Sequence, residues 1–524
     1  MRLFQNAARF LLLAALAYSP WDYGGVTEPA IVRLNWILAG ALAAFAASAA
    51  VRCYLLRAHG HRKTSNHSPI TDNSYHPRAV APALWLPIIA ILALGWWASL
   101  NAKAIYDADA SIFIGVKRWL PWAAGSVDQA VSAASMVRVT VLLGTMLMVA
   151  DLVRDPRWLL RLWWTLGLTG SSIALLGLLQ KASGAQMIFW QESKQTVGTF
   201  FATFYYHGNA GAFLNLTLPV TIGLAWRAFA QRRAPLVRAL WLTLSVISIV
   251  AAFANTSRMG QALAGGVLLV LAAGLLPRAF GAARARMAWP TAVAGAVAIL
   301  FALFAVVQNS RLDRSLDRWE RISETMPRDS RWNAAKAAWG AVPEAGWHGF
   351  GPGTFAIVFP YYTADWGKNL SGRWIFLHQD YVQTLMEWGW LGSGLLGWLF
   401  FGGMGVGAWR AWESRKWKGE SRKAEVGSRR EESGDWRSSE SGKWKVEGER
   451  AEGGNRESGI RGQGVAGWTP RQRLFVPLVV LGLASVALHA LVDFPLQIAS
   501  IQLYVATYLG VCWGSSRFAG RVVG

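Results

Sequence analysis

Long apolar runs broken by short polar connections dominate this chain, and they recur at the length that a bilayer demands. Hydrocarbon about 30 Å thick takes ~20 apolar residues per helix. Runs of that kind centre near Leu12, Ala43, Ile91, Leu143, Leu168, Leu218, Val246, Leu268, Ala298, Leu395, Leu483 and Ala506. They predict about twelve spans and an all-α polytopic membrane protein. The run at Leu12 could pass for a signal-peptide core, but no small-residue cleavage site follows it, so it is read as an uncleaved helix. Two stretches break the pattern, Arg311 to Trp374 and Glu413 to Gly467. The chain therefore divides into spans one to nine (1–308), a long loop (309–377), the tenth span (378–408), a polar insert (409–473), and the last two spans with a short tail (474–524).

Composition agrees, with 53% hydrophobic and 16% charged residues. The formal net charge of +22 would suit a nucleic-acid partner, but its placement argues for a membrane instead. Alternate connections carry Arg52, Arg57, Arg62, Lys63 and Arg78, then Arg154, Arg157 and Arg161, then Arg227, Arg232, Arg233 and Arg238, then Arg278, Arg284 and Arg286. This is the positive-inside pattern of a chain with both termini in the cytoplasm. The Glu413–Gly467 stretch is rich in Ser, Gly, Glu, Lys and Arg. It cannot bury enough apolar surface to offset its ordering entropy, which predicts a disordered cytoplasmic insert. Cys53 and Cys512 suggest no disulfide framework, and the histidines show no metal-ligand spacing. No metal or cofactor is expected.

The Arg311–Trp374 stretch lies on the opposite side, where a long water-exposed loop has no packing reason to exist; loops beyond ~12–15 residues are uncommon unless functional. It holds Arg318, Arg321, Arg331, Trp332, Trp339, Tyr361, Tyr362 and a turn from Gly349 to Gly353 that includes Gly351. Such a surface suits an anionic, sugar-bearing lipid. Residues 331–339 have helical propensity, with Ser330 as a possible N-cap. The Gly-rich turn signals a tight reversal and only weakly a phosphate cradle. Arg258, in Ser257-Arg258-Met259-Gly260, sits at the same face, where an arginine near hydrocarbon normally has a partner or a function. Its planar donors suit bidentate phosphate contacts; a snorkelling residue is the plainer alternative. His378 opens the tenth span beside Tyr381, and an imidazole there could take a proton from an attacking hydroxyl. Glu387, nine residues farther along, is read as structural, with Gly389 and Gly392 permitting close packing. Tyr205, His207 and Asn209 precede or open the sixth span on the same face, as interfacial aromatics or sugar contacts. His489 and Asp493, four residues apart, are read as a structural pair.

In order, the motifs are Gly198-Thr199-Phe200 with His207-Gly208-Asn209, Ser257-Arg258, Arg331-Trp332, Pro343 to Phe355 with its Gly-rich turn, His378-Gln379-Asp380-Tyr381 with Glu387, Gly389 and Gly392, and His489 to Pro495. Together they resemble the O-antigen ligase and polymerase superfamily of bacterial polysaccharide assembly, well over residues 190–400 and elsewhere by topology. Family members usually carry His-Asn where this chain has His378-Gln379. The resemblance implies a multi-span glycosyltransferase of the GT-C-like kind in the bacterial inner membrane, working on its periplasmic side. It implies inverting, metal-independent transfer of a glycan from an undecaprenyl-diphosphate carrier to a hydroxyl on a lipid, polysaccharide or protein acceptor. Arg258 and Arg331 would hold the diphosphate, and His378 would orient or deprotonate the acceptor. Alternatives are a polymerase with a lipid-linked acceptor, a protein O-oligosaccharyltransferase and, outside enzymes, a polysaccharide or lipid transporter. A transporter should show internal repeats with paired broken helices, and no such pairing is found.

Overall fold

The computed structural model describes residues 2–60, 82–107, 109–110, 112–152, 154–192, 199–283, 329–370, 374–414 and 470–515. The expected ninth span near Ala298, the candidates Arg318 and Arg321, and most of the polar insert lie outside these residues. Thirteen helices are used here: α1 (Arg2–Tyr18), α2 (Glu28–Gly60), α3 (Pro82–Leu100), α4 (Gln129–Leu152), α5 (Pro156–Ala182), α6 (His207–Ala230), α7 (Pro235–Ala254), α8 (Arg258–Ala283), α9 (Ser330–Ala345), α10 (Phe355–Thr363), α11 (Asp380–Gly397), α12 (Pro470–His489) and α13 (Ala499–Gly514). Among the described residues 9 helices are long and apolar enough to cross a membrane. They contain the predicted centres from Ala43 to Leu268 and those at Leu395 and Leu483. Leu12 and Ala506 centre on the shorter helices α1 and α13. This is a mostly helical, multi-pass membrane protein. A small antiparallel hairpin, β1 (Ala104–Asp107) with β2 (Ile112–Gly115), departs from the all-α expectation.

The axis of the bundle is α6. Its most apolar stretch is 83% buried against 22% for α2, although α6 is the less hydrophobic of the two. It is enclosed by α5, α7, α8 and α12. Small residues make the approach possible: a Cβ on Gly223 would lie 2.1 Å from Leu478 of α12, and one on Gly170 would lie 2.5 Å from Thr217. Two large polar-tipped side chains inside the bundle find backbone partners, as groups buried away from water need. Trp163 donates to the Val220 carbonyl at 3.0 Å and Tyr508 to that of Leu216 at 2.9 Å. Helix starts follow local chemistry. Asp155 accepts from the Arg157 amide ahead of Pro156, so α5 begins with a capping carboxylate and a proline at its first turn.

The long loop is folded where it is described. Ala334, Ala338, Ala341 and Val342 of α9 are buried against α10 and α11, with Phe355, Phe359, Leu377 and Met386 in one core. Asp329, not Ser330, caps α9: its carboxylate accepts from the Arg331 amide at 3.0 Å, and the chain at Asp329 is extended as a cap requires.

The tenth span is broken rather than continuous. Gly389 takes φ 61°, and the helical ladder opens there. The freed groups are taken up by the loop. Met386 and Glu387 carbonyls accept from Phe350 and Gly351 at 2.9 and 3.0 Å, and the Trp390 and Leu391 amides donate to Gly346 and Trp347 at 3.1 Å each. The Gly-rich turn is thus spent on α11 rather than on any phosphate. A Cβ on Gly349 would sit 2.3 Å from the Glu387 carbonyl oxygen, and one on Gly351 2.1 Å from Ser126 Oγ. Gly353 donates from its amide to the Glu387 carboxylate at 3.0 Å and Phe355 at 3.4 Å, while Gln383 donates to the same group at 3.0 Å.

Candidate functional site

A cavity of about 270 Å³ opens where four helices begin. It is lined by Tyr206 and His207 at the start of α6, Ser257, Arg258 and Met259 at the start of α8, Asp329, Arg331 and Trp332 at the start of α9, and His378 and Gln379 just before α11. Each helix start carries amide N–H groups without helical partners and the positive end of a peptide dipole, so a convergence of four favours an anion.

These starts are bolted together. Asn255 donates to the His207 carbonyl at 2.9 Å and Asn215 to that of Gly260 at 2.8 Å, while the Gly260 amide donates to Ser257 Oγ at 3.1 Å. Gly211 and Gly260 face each other so closely that a Cβ on either would lie 3.2 Å from the other's Cα. That contact fixes Arg258 beside His207. Gln379 caps α11 by accepting from the Val382 amide at 2.6 Å, which sets the turn that carries His378.

On the cavity wall His378 pairs through Nδ1 with Asp493 Oδ1 at 2.9 Å. Because a carboxylate only accepts, Nδ1 holds a proton, which in the neutral tautomer leaves the lone pair on Nε2. Asp493 Oδ2 lies 3.7 Å from His489 Nε2. Asp493 is fully buried, which by itself raises its pKa, yet His378 and His489 together hold it well below the ordinary carboxylate range. The expected structural pair of His489 and Asp493 is therefore also the support of His378. Asp380, two residues on, keeps this wall in place, accepting from the Leu496 amide and Gln497 Nε2 at 2.8 Å each.

Tyr206 links the two sides. Arg331 donates to its hydroxyl at 3.0 Å, the hydroxyl hydrogen-bonds Asp493, and its ring stacks on Phe494 with centroids 5.3 Å apart. Burial first, then the Asp493 charge, pushes its pKa up, so it stays a phenol. Burial lowers the Arg331 pKa, but Tyr206, Asp493 and Asp329 more than reverse that, and the guanidinium stays charged. Asp329 lies 3.7 Å from Arg331 Nε. A Cβ on Gly208 would strike both Asp493 and Tyr206, at 2.2 and 2.3 Å, so glycine is what leaves room for their contact.

The structure brings His378, Arg258, Arg331, Trp332 and His207 to one cavity. It does not bring Tyr205, Asn209 or Tyr381 to its lining. Tyr205 stacks on Tyr23, Asn209 is buried in α6, and Tyr381 donates to the Ala487 carbonyl at 2.8 Å as a brace between α11 and α12. Tyr206 and Asp329 join the lining although neither was among the expected site residues. Helical phase would have separated Tyr206 from Tyr205, but only once the start of α6 was known. Among the described residues no group of three His, Cys, Asp or Glu is gathered as metal ligands would be. Residues 243–397 match the family model described as O-Antigen ligase. That range contains Arg258, Arg331 and His378, and stops short of Tyr206 on one side and Asp493 on the other. No curated protein matches the chain.

Proposed function

We propose that this chain, a member of the O-antigen ligase family through its residues 243–397, moves a glycan from a polyprenyl-diphosphate carrier to an acceptor hydroxyl. The observation that carries the reading is the His378–Asp493 pair on one wall of a cavity whose rim holds two arginines and four helix starts. In the transfer the acceptor oxygen attacks the anomeric carbon of the carrier-linked sugar. The bond from that carbon to the diphosphate oxygen breaks, and the hydroxyl proton passes to His378 Nε2. Asp493 holds the ring in the needed tautomer and stabilises the imidazolium that forms. Attack from the face opposite the diphosphate inverts the anomeric centre. Arg258 and Arg331, with the helix starts, take the charge that develops on the leaving diphosphate.

The chain would lie in the bacterial inner membrane with twelve spans and the cavity on the periplasmic side, the segment 309–377 covering it and 409–473 facing the cytoplasm. An acceptor other than a further carrier-linked repeat unit makes the protein a ligase. Mass analysis of the membrane glycans after deletion tests this directly: full-length polymer left on the carrier supports it, whereas accumulated single-repeat carrier lipid means a polymerase instead. With two arginines and four helix starts to offset the diphosphate charge, transfer should proceed in excess chelator. Activity lost there and restored by magnesium or manganese overturns the metal-independent reading.

A further inference from the structure

Among the described residues, positive-φ backbone outside glycine falls mostly on aromatic residues near the start of α6. Among the described residues five non-glycine positions have positive φ: Tyr23 (51°), Phe189 (56°), Trp190 (55°), Ala202 (53°) and Arg232 (48°). All but Arg232 belong to one patch. Bulky residues rarely adopt this conformation, and it persists only where the surroundings over-determine it, most often at a working surface.

The surroundings do so here. Thr203 Oγ1 donates to the Pro20 carbonyl at 2.5 Å, and Ser500 Oγ hydrogen-bonds the Gly24 carbonyl. A Cβ on Gly24 would lie 2.5 Å from the Phe204 ring, so the turn before α2 is pressed onto the segment that leads into Tyr205. With its amide in the orientation that satisfies both groups, the buried Gln180 donates to the Ala202 carbonyl at 2.9 Å and accepts from the Phe189 amide at 2.7 Å. The aromatics are held as well: Gln191 donates to the Tyr23 hydroxyl at 2.8 Å, Trp21 to Ser172 at 3.2 Å and Trp190 to Ser183 at 2.6 Å. Tyr23 stacks on Tyr205 with centroids 5.8 Å apart at 12°, and Trp21 on Phe189 at 6.4 Å and 15°. Trp21 and Trp190 keep 38% and 49% of their surface exposed.

An interfacial aromatic belt needs none of this, because rings at a lipid headgroup level serve in many orientations. Rigid rings with an apolar face and a polar tip fit a sugar, whose C–H face stacks while its hydroxyl rim is hydrogen-bonded, and they bind at little entropic cost. The patch is also continuous with the cavity, since Tyr205 adjoins Tyr206 and Thr199 bonds both Tyr205 and His207. We propose that Trp21, Tyr23, Phe189, Trp190 and Tyr205 form a saccharide-stacking subsite that holds the glycan chain where it leaves the cavity. This rests on the transfer reading for its ligand, but the platform itself does not depend on catalysis.

The test uses the full chain in nanodiscs and a Trp21→Ala/Trp190→Ala variant, with Trp21→Phe/Trp190→Phe to restore flat rings. The probes are carrier-linked glycans of one repeat and of many repeats from the source cell, and the same glycans released from the carrier. The alanine pair should raise KM for the many-repeat donor about tenfold, equivalent to ~1.4 kcal/mol. It should leave the one-repeat donor unchanged, and phenylalanine should recover most of the loss. Released many-repeat glycan should bind the alanine pair more weakly by a similar factor. Equal effects on both donor lengths, or unaltered binding of the released glycan, overturn the subsite. Wild-type protein that binds long glycan by these rings but transfers none overturns the transfer reading and upholds the subsite.

Discussion

An imidazole tied through one nitrogen has the other left for chemistry, and His378 is tied through Nδ1 to a buried carboxylate. General-base help is typically worth ~10²–10⁴-fold. His378→Ala at matched levels of folded protein should therefore slow transfer at least ~10²-fold while donor binding persists. Asp493→Asn should fall in the same ~10²–10⁴-fold range, because an amide can donate to Nδ1 and force the proton onto Nε2. Near wild-type transfer by either variant would make the pair structural and shift attention to His207. The lowered pKa of Asp493 has a stability counterpart. A group whose folded pKa is depressed stabilises above its unfolded value and loses that contribution as pH falls through the folded one. Below the ordinary carboxylate value of ~3.9, thermal stability in detergent should thus decline more for wild type than for Asp493→Asn. At Arg258 shape matters beyond charge: Arg258→Lys should impair transfer, since an ammonium cannot reproduce a fork on two phosphates. Normal donor turnover by a well-inserted Lys variant would remove the diphosphate role. That Arg258, Arg331 and His378 lie on one face was read from three different signals, an arginine near hydrocarbon, a long polar loop and an imidazole at the mouth of a span, and the structure lines one cavity with all three. The reach of Asp493 to His378 was not legible, because the two are far apart in the chain and meet only through the turn that follows α12.

Helices contribute by where they start and where they break. The start of α9 was signalled by helical propensity with Ser330 as the expected cap, one residue past the Asp329 that serves, but nothing local says that the starts of α6, α8 and α9 converge. The break in α11 was half legible. Gly389 and the Gly-rich turn were both visible, and each was assigned its own plain role, close packing and a chain reversal. In the folded chain they serve one another, the turn filling the ladder that Gly389 opens. Glu387 is the pin in this joint, accepting from Gly353, Phe355 and Gln383. Glu387→Ala would leave those donors buried without a partner, at ~1–3 kcal/mol for each group. The expected result is a lower melting temperature and protease cleavage at the 349–354 turn, with any residual transfer showing an ordinary pH profile. A variant as stable and as protease-resistant as wild type would show that the turn is held by its backbone bonds to α11 alone.

At the scale of the whole molecule, orientation follows from charge and the site follows from orientation. Among the described residues α6 begins at the cavity, so the Arg232–Arg233 connection between α6 and α7 falls at the other end of that helix. The proposed topology thus makes a paired prediction. With Cys53 replaced by serine and the buried Cys512 retained, Tyr361→Cys near the cavity end should react with a membrane-impermeant maleimide in intact spheroplasts. Arg233→Cys, in the connection between α6 and α7, should react only after the membrane is opened. Tyr361 is well suited because it is 77% exposed and lies outside the described helices long and apolar enough to cross a membrane. Labelling of Arg233→Cys in sealed cells would invert the protein. The cavity would then face the cytoplasm, where a glycan assembled for export is not yet presented, and the transfer reading would fall with the topology.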